Sequence, residues 1–214
     1  MTRTVNLVAV TCIAGGMIAG SVLLGAGSAP SPAALPAATA QVYRIDPVHS
    51  SVLFRINHAG VGVFWGRFAE IEGTFNIDPK NPDDSFFDVT IPVASVDTNN
   101  EKRDEHLRSG DFFNARQYPT ATFKSTSLSA TDDDHVFELS GQLTIMGQTR
   151  EVTTQLFFSG NGSFRGNAIQ GFEVDFTIKR ADFGITTYLA PDGSNSGGLG
   201  NDVRIIVAGE GVKQ

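Results

Sequence analysis

Apolar and polar residues alternate with a period of two through most of the chain beyond residue 41, the rhythm of half-buried antiparallel strands. Val52, Phe54, Ile56 and His58 share one face of a first strand, while Leu53, Arg55 and Asn57 take the other. A second run reads Phe68, Ile71, Gly73, Phe75 and Ile77, and its change of parity between Phe68 and Ile71 predicts a bulge. In a third, Phe87, Val89, Ile91 and Val93 alternate with Asp88, Thr90, Pro92 and Ala94. Pro92 marks an edge or an irregularity there, because it has no N–H to give to a ladder. Further runs cover Ala121 to Ser125, Phe137 to Ile145, Val152 to Phe158, Phe172 to Ile178 and Val203 to Val207, which makes eight candidate strands. Eight antiparallel strands close a barrel whose interior can hold one small ligand, and closure removes the sheet edges that invite aggregation. The fold expected is therefore all-β, an antiparallel eight-stranded barrel.

Between Asp97 and Tyr118 the alternation stops. Asp97 or Thr98 is placed to cap a short helix over Asn100 to Arg108, with Glu101 near its positive end and Gly110 just beyond it. A second irregular stretch, Thr186 to Asp202, contains Pro191-Asp192-Gly193 and Gly197-Gly198, too polar and too poor in large side chains to pack by itself.

The first 40 residues stand apart. They carry one basic residue, Arg3, no acidic one, an apolar run from Val5 to about Gly27 and a small-residue exit at Ala38-Thr39-Ala40. This reads as a signal peptide over 1–40, cleaved before Gln41, and places the protein in the periplasm or outside the cell. The apolar run is long enough that an uncleaved anchor followed by a Pro/Ala tether also fits. Residues 41–214 then form one domain, large enough for a real core. The lone cysteine, Cys12, falls in the leader, so the mature domain forms no disulfide. The chain has a net charge of −7, and loss of Arg3 makes it more acidic still. Such a domain has no electrostatic footprint for nucleic acid or for anionic lipid surfaces.

All 16 phenylalanines lie after the leader, mostly at alternating positions. They either fill the barrel or line an elongated apolar cavity, and periodicity does not choose between the two. His49, His58, His106 and His135 show no short metal-ligand spacing, so a zinc or iron site would require folding to join one of the first three to a carboxylate. The run Glu101 to His106 mixes both signs, as a solvated helix face does. Asp182-Phe183-Gly184 lacks the loops of a kinase, and Gly60-Val61-Gly62 is followed by Trp65 where a dinucleotide fingerprint needs glycine. Ser50 and Ser51 have no oriented base, so no catalytic residue, enzyme activity, metal or cofactor is expected.

One arrangement goes further than composition. Tyr43-x-Ile45-Asp46 with His49-Ser50, then His58, Gly66-x-Phe68 and Gly73-x-Phe75 are followed by Asp97-Thr98 and Arg103-Asp104-x-His106-Leu107-Arg108. Asp111-Phe112-Phe113, Tyr118-Pro119, Gly141-x-Leu143-Thr144-Ile145 and Arg180-x-Asp182-Phe183-Gly184 complete it. From about Val42 to Gly209 the chain resembles the YceI family of secreted, lipocalin-like lipid binders. The resemblance implies a lipocalin-like barrel that binds or transports a polyisoprenoid, an isoprenoid quinone or a fatty-acid derivative without catalysis. It favours the cavity, for which the inward set would be Val52, Phe54, Ile56, Phe75, Val89, Ile91, Phe123, Leu143, Leu156, Phe176 and Val207. His58, Arg103 and His106 are the head-group candidates near the barrel mouth. Asp104, Arg180 and Asp182 are the expected ionic clamp holding the helix over the barrel end. The partner expected is an apolar lipid, with membrane contact during exchange or through an uncleaved leader, and the protein acts as a monomer or homodimer. The rival readings are a haem- or metal-linked redox protein and a ligand-free structural barrel.

Overall fold

The computed structural model describes residues 41–214, so the expected signal peptide, or anchor with its tether, over 1–40 lies outside the described residues. Eleven hydrogen-bonded strands form one antiparallel sheet: β1 (Tyr43–Ile45), β2 (Ser51–His58), β3 (Gly62–Phe68), β4 (Glu72–Asn76), β5 (Phe86–Pro92), β6 (Val96–Asp97), β7 (Thr120–Ala130), β8 (Val136–Ile145), β9 (Gln148–Phe164), β10 (Asn167–Lys179) and β11 (Leu199–Lys213). These reduce to eight staves. β1 and β2 run along the same strand, β11, with Tyr43 opposite Lys213 and Ser51 opposite Ala208. β3 and β4 pair with β2 and β1 in turn, while β5 and β6 pair with β4 and β3. From β7 to β11 the chain is a meander, and the β1–β11 ladder closes the ring.

The irregularities have local causes. The parity change before Ile71 is a jog between β3 and β4, not a bulge, and there Ala69 N–H donates to Ser95 O. Pro92 ends β5, and a 3-10 turn over Val93–Ser95 carries the chain to β6. Real bulges occur at Thr126, which has no partner between Ser125 and Ser127, and at Ser159 on β9. The first explains why alternation stops at Ser125 although β7 continues to Ala130: the extra residue turns Leu128 inward, where it is buried.

The only α-helix among the described residues, α1 (Glu101–Arg108), is capped by Asn100, whose side chain accepts from Arg103 N–H. Asp97 and Thr98, the caps expected from sequence, have other partners. Asp97 pairs with Arg67, and Thr98 donates its N–H and hydroxyl to Asp104. Every helix residue but Leu107 is polar, so this bonding, with Leu107 alone packed on the apolar interior, holds α1 in place.

The core has two parts. One barrel end is closed by Tyr43, Phe75, Phe87, Phe172, Leu156 and their neighbours. Where β4 ends, buried Gln170 accepts from Ile77 N–H and donates to Ile77 O, both at 2.8 Å, so a side-chain amide replaces the missing ladder bonds. A smaller cluster of Phe112, Leu143, Ile145, Phe183 and Ile185 lies toward α1.

Candidate functional site

Between the two clusters the barrel encloses a cavity of about 560 Å³. Paired phenylalanines and glycines make the room. A Cβ placed on Gly66 would meet the Phe54 ring at 2.2 Å, and one on Gly141 would meet the Phe123 ring at 2.5 Å. Each ring therefore lies against a glycine on the neighbouring strand, flat to the wall, and leaves the centre open. This is how one side chain type serves both wall and cavity.

Of the eleven inward residues read from sequence, Val52, Phe54, Ile56, Val89, Ile91, Phe123, Leu143, Phe176 and Val207 line the cavity. Phe75 and Leu156 do not, which corrects that reading: both are fully buried in the closed end. Phase was right for these two, but alternation reports phase and not height along the barrel axis.

The mouth gathers His58, Phe64, Arg103, His106, Phe112, Tyr188 and Arg180. Arg103 lies over the Phe64 ring at 4.2 Å, while its Nε and Nη2 donate to Thr98 Oγ1 and O at 2.8 and 2.7 Å. Thr98 in turn donates to the buried Asp104, so this carboxylate reaches Arg103 through a hydroxyl. His106 Nε2 lies 3.0 Å from Asp111 Oδ2, with its ring edge-on to Phe112. His58 makes no side-chain hydrogen bond among the described residues.

The expected ionic clamp is not present. Arg180, 4 % exposed, meets neither Asp104 nor Asp182, and Asp182 is exposed. Arg180 instead donates Nε to Gly200 O, Nη1 to Ile185 O and Thr187 O, and Nη2 to Leu199 O, at 2.7 to 3.0 Å. It ties the irregular 186–198 segment to β11 through backbone carbonyls. Burial pushes its guanidinium below the ordinary value, although arginine stays charged at neutral pH. Asn195 and Asn201 complete the anchoring: Asn195 Oδ1 accepts from Asn201 and Asp202 N–H, and Asn201 Nδ2 donates to Gly193 O.

Folding does bring two histidines to carboxylates. Besides His106 with Asp111, His49 Nδ1 lies 2.8 Å from Asp46 Oδ2 and 3.9 Å from Glu210 Oε1. The three ligand atoms lie within 4.8 Å of one another, but none of these residues lines the cavity.

The YceI-like domain model matches residues 43–210. The chain belongs to the YceI-like domain family. Protein YceI of Escherichia coli is 40% identical over 202 residues, 93% of this chain and 96% of that protein. BcnA of Burkholderia cenocepacia superposes with a TM-score of 0.67 at 24% identity, over 78% of this chain and 98% of that one. A polyisoprenoid binding domain of Saccharophagus degradans gives 0.61 at 16% identity, over 80% and 98%. At those identities the two structures establish a shared fold. Within this YceI-like barrel, alternation missed Leu107, Phe112, Phe113 and Ile185, which line the cavity from outside regular strands. Leu107, Phe112 and Phe113 stand in the segments that carry the family resemblance, and Ile185 directly follows one, but nothing in their spacing told that they face the barrel interior.

Proposed function

We propose that this YceI-like protein binds one long apolar molecule inside its barrel and carries or stores it in the cell envelope, without catalysis and with no metal or haem required. The observation that carries the reading is the cavity itself, lined almost wholly by aliphatic and aromatic side chains, with only Thr122 and Thr154 adding hydroxyls from the strands and its basic groups gathered at the mouth. Its volume falls in the range of about 300–1,000 Å³ usual for small-molecule sites. The polyisoprenoid binding domain of Saccharophagus degradans has the same fold, which favours an isoprenoid, a quinone or a fatty-acyl chain as the ligand class.

Magnitudes assign the affinity to the tail. Burial contributes about 0.8 kcal/mol per methylene, against an association cost on the order of 4–15 kcal/mol. A tail of about ten carbons only reaches the middle of that range, so stable retention requires a longer chain. An exposed ion pair adds about 1 kcal/mol or less. The test is native mass spectrometry of protein isolated from its own envelope. One apolar molecule per chain is expected, and a ligand-free mass with stoichiometric metal or haem would replace this reading with the redox one.

A further inference from the structure

The charge of the cavity lining runs against that of the molecule. The chain has 23 acidic and 16 Lys or Arg residues, yet neither aspartate nor glutamate lines the cavity, whereas His58, Arg103, His106 and Arg180 do. These basic residues are not equivalent. Arg103 is balanced through Thr98 by Asp104, and His106 by Asp111. Arg180 is buried and has no carboxylate partner among the described residues; its acceptors are four uncharged carbonyls, which occupy four of its five N–H groups. A buried guanidinium is normally matched by an anion.

These groups also belong to one rim. Arg180 donates to Thr187 O, the Thr187 hydroxyl donates to Asp111 O, and the Asp111 carboxylate holds His106. On the other side Arg180 donates to Leu199 O, and Leu199 is the cross-strand partner of His58. An apolar tail filling the barrel would leave its head among these residues.

We infer that the protein selects amphiphiles with an anionic oxygen head, a carboxylate or a phosphate, and that Arg180 supplies the matching charge. The inference rests on the carrier reading above and narrows its ligand class. A neutral alcohol leaves the buried charge unmatched, and an amine adds a second cation beside it.

The test is displacement of a fluorescent fatty-chain probe at pH 8 by palmitate, hexadecyl phosphate, hexadecanol and hexadecylamine, which share one tail. Both anions should compete at least about tenfold better than the alcohol, the scale of a charge-assisted hydrogen bond, with the amine weakest. The preference should survive 1 M NaCl, because a buried charge is poorly screened, and should survive Arg103→Gln. Arg180→Lys, which keeps the charge but loses the planar fork, should reduce it. If that variant does not fold, the comparison in the unmutated protein still decides. Equal competition by palmitate and hexadecanol would overturn the inference while leaving the carrier reading intact. Loss of the preference in Arg103→Gln would overturn the role of Arg180, and failure of all four to displace the probe would overturn both.

Discussion

At the closed end Phe75, Phe87 and Phe172 pack on one another, with ring centroids 4.8 to 5.4 Å apart, whereas in the cavity wall Phe54 and Phe123 lie against Gly66 and Gly141 and face open space. Glycine is used at both places. A Cβ on Gly211 would meet Phe75 at 2.4 Å, and one on Gly209 would meet Phe172 at 2.7 Å. The difference is what lies on the other side of each ring. Around Phe75 other rings close every side and the barrel is sealed, with Phe87 and Phe172 forming the floor of the cavity, whereas Phe123 and Phe54, the latter touched on one side by Phe68, border a volume left for a ligand. Inward phenylalanine is therefore not by itself a sign of a filled core.

The comparison predicts unequal costs for one substitution. Phe75→Ala should lose on the order of 3–5 kcal/mol in urea unfolding, because a fully buried ring leaves a void among fixed neighbours. Phe123→Ala should cost clearly less, since one side of that ring already lacks contact partners. Equal losses would mean that the two regions do not differ as described.

Gly66→Ala probes the wall. Its Cβ overlaps the Phe54 ring, which must swing into the cavity, with an overpacking cost on the order of 1–3 kcal/mol. The sharper readout is ligand length: the variant should retain shorter chains than the unmutated protein, and an unchanged length optimum would show that Phe54 does not bound the cavity.

The smallest effect lies between β1 and β2, where the stave from the sealed end bends toward the cavity. The hydrogen bond to Asp46 holds the His49 imidazole above its ordinary 6.5, and the same bond, with Val48 N–H, holds Asp46 below its ordinary 3.8. A raised histidine stabilises fully below 6.5 and loses that contribution as pH rises through its folded value. A depressed aspartate stabilises above 3.8 and loses it as pH falls through its folded value. The difference in melting temperature between the unmutated protein and His49→Gln should therefore be largest between about pH 4 and 6.5 and shrink on either side. A flat difference would remove the ion pair as its cause.

Much of this was legible in the sequence, for physical reasons. Period-two alternation reports inward phase, so it gave the eight staves and, where it stops, the helix, while the family resemblance turned the inward set into a cavity lining, nine of whose residues lie there, and brought Arg180 into view. Height along the barrel is not encoded in phase, and Phe75 and Leu156 were assigned to the cavity for that reason. Tertiary acceptors were also invisible. Nothing in Arg180-Ala181-Asp182 tells that the arginine turns to the carbonyls of Ile185, Thr187, Leu199 and Gly200 and away from a nearby carboxylate. The caps failed similarly, because Thr98 is engaged by Asp104 and leaves Asn100 to begin the helix.

The central claim is that the cavity takes up an apolar chain, and a homologous series of fatty acids tests it most directly. Dissociation constants measured by calorimetry from eight to twenty carbons should fall by about fourfold per methylene, the equivalent of about 0.8 kcal/mol, until the cavity is full and the curve levels. The cavity-narrowing Gly66→Ala should level earlier. Affinity independent of chain length would contradict the account, because binding would then reside in the head group or on the surface and not in the barrel.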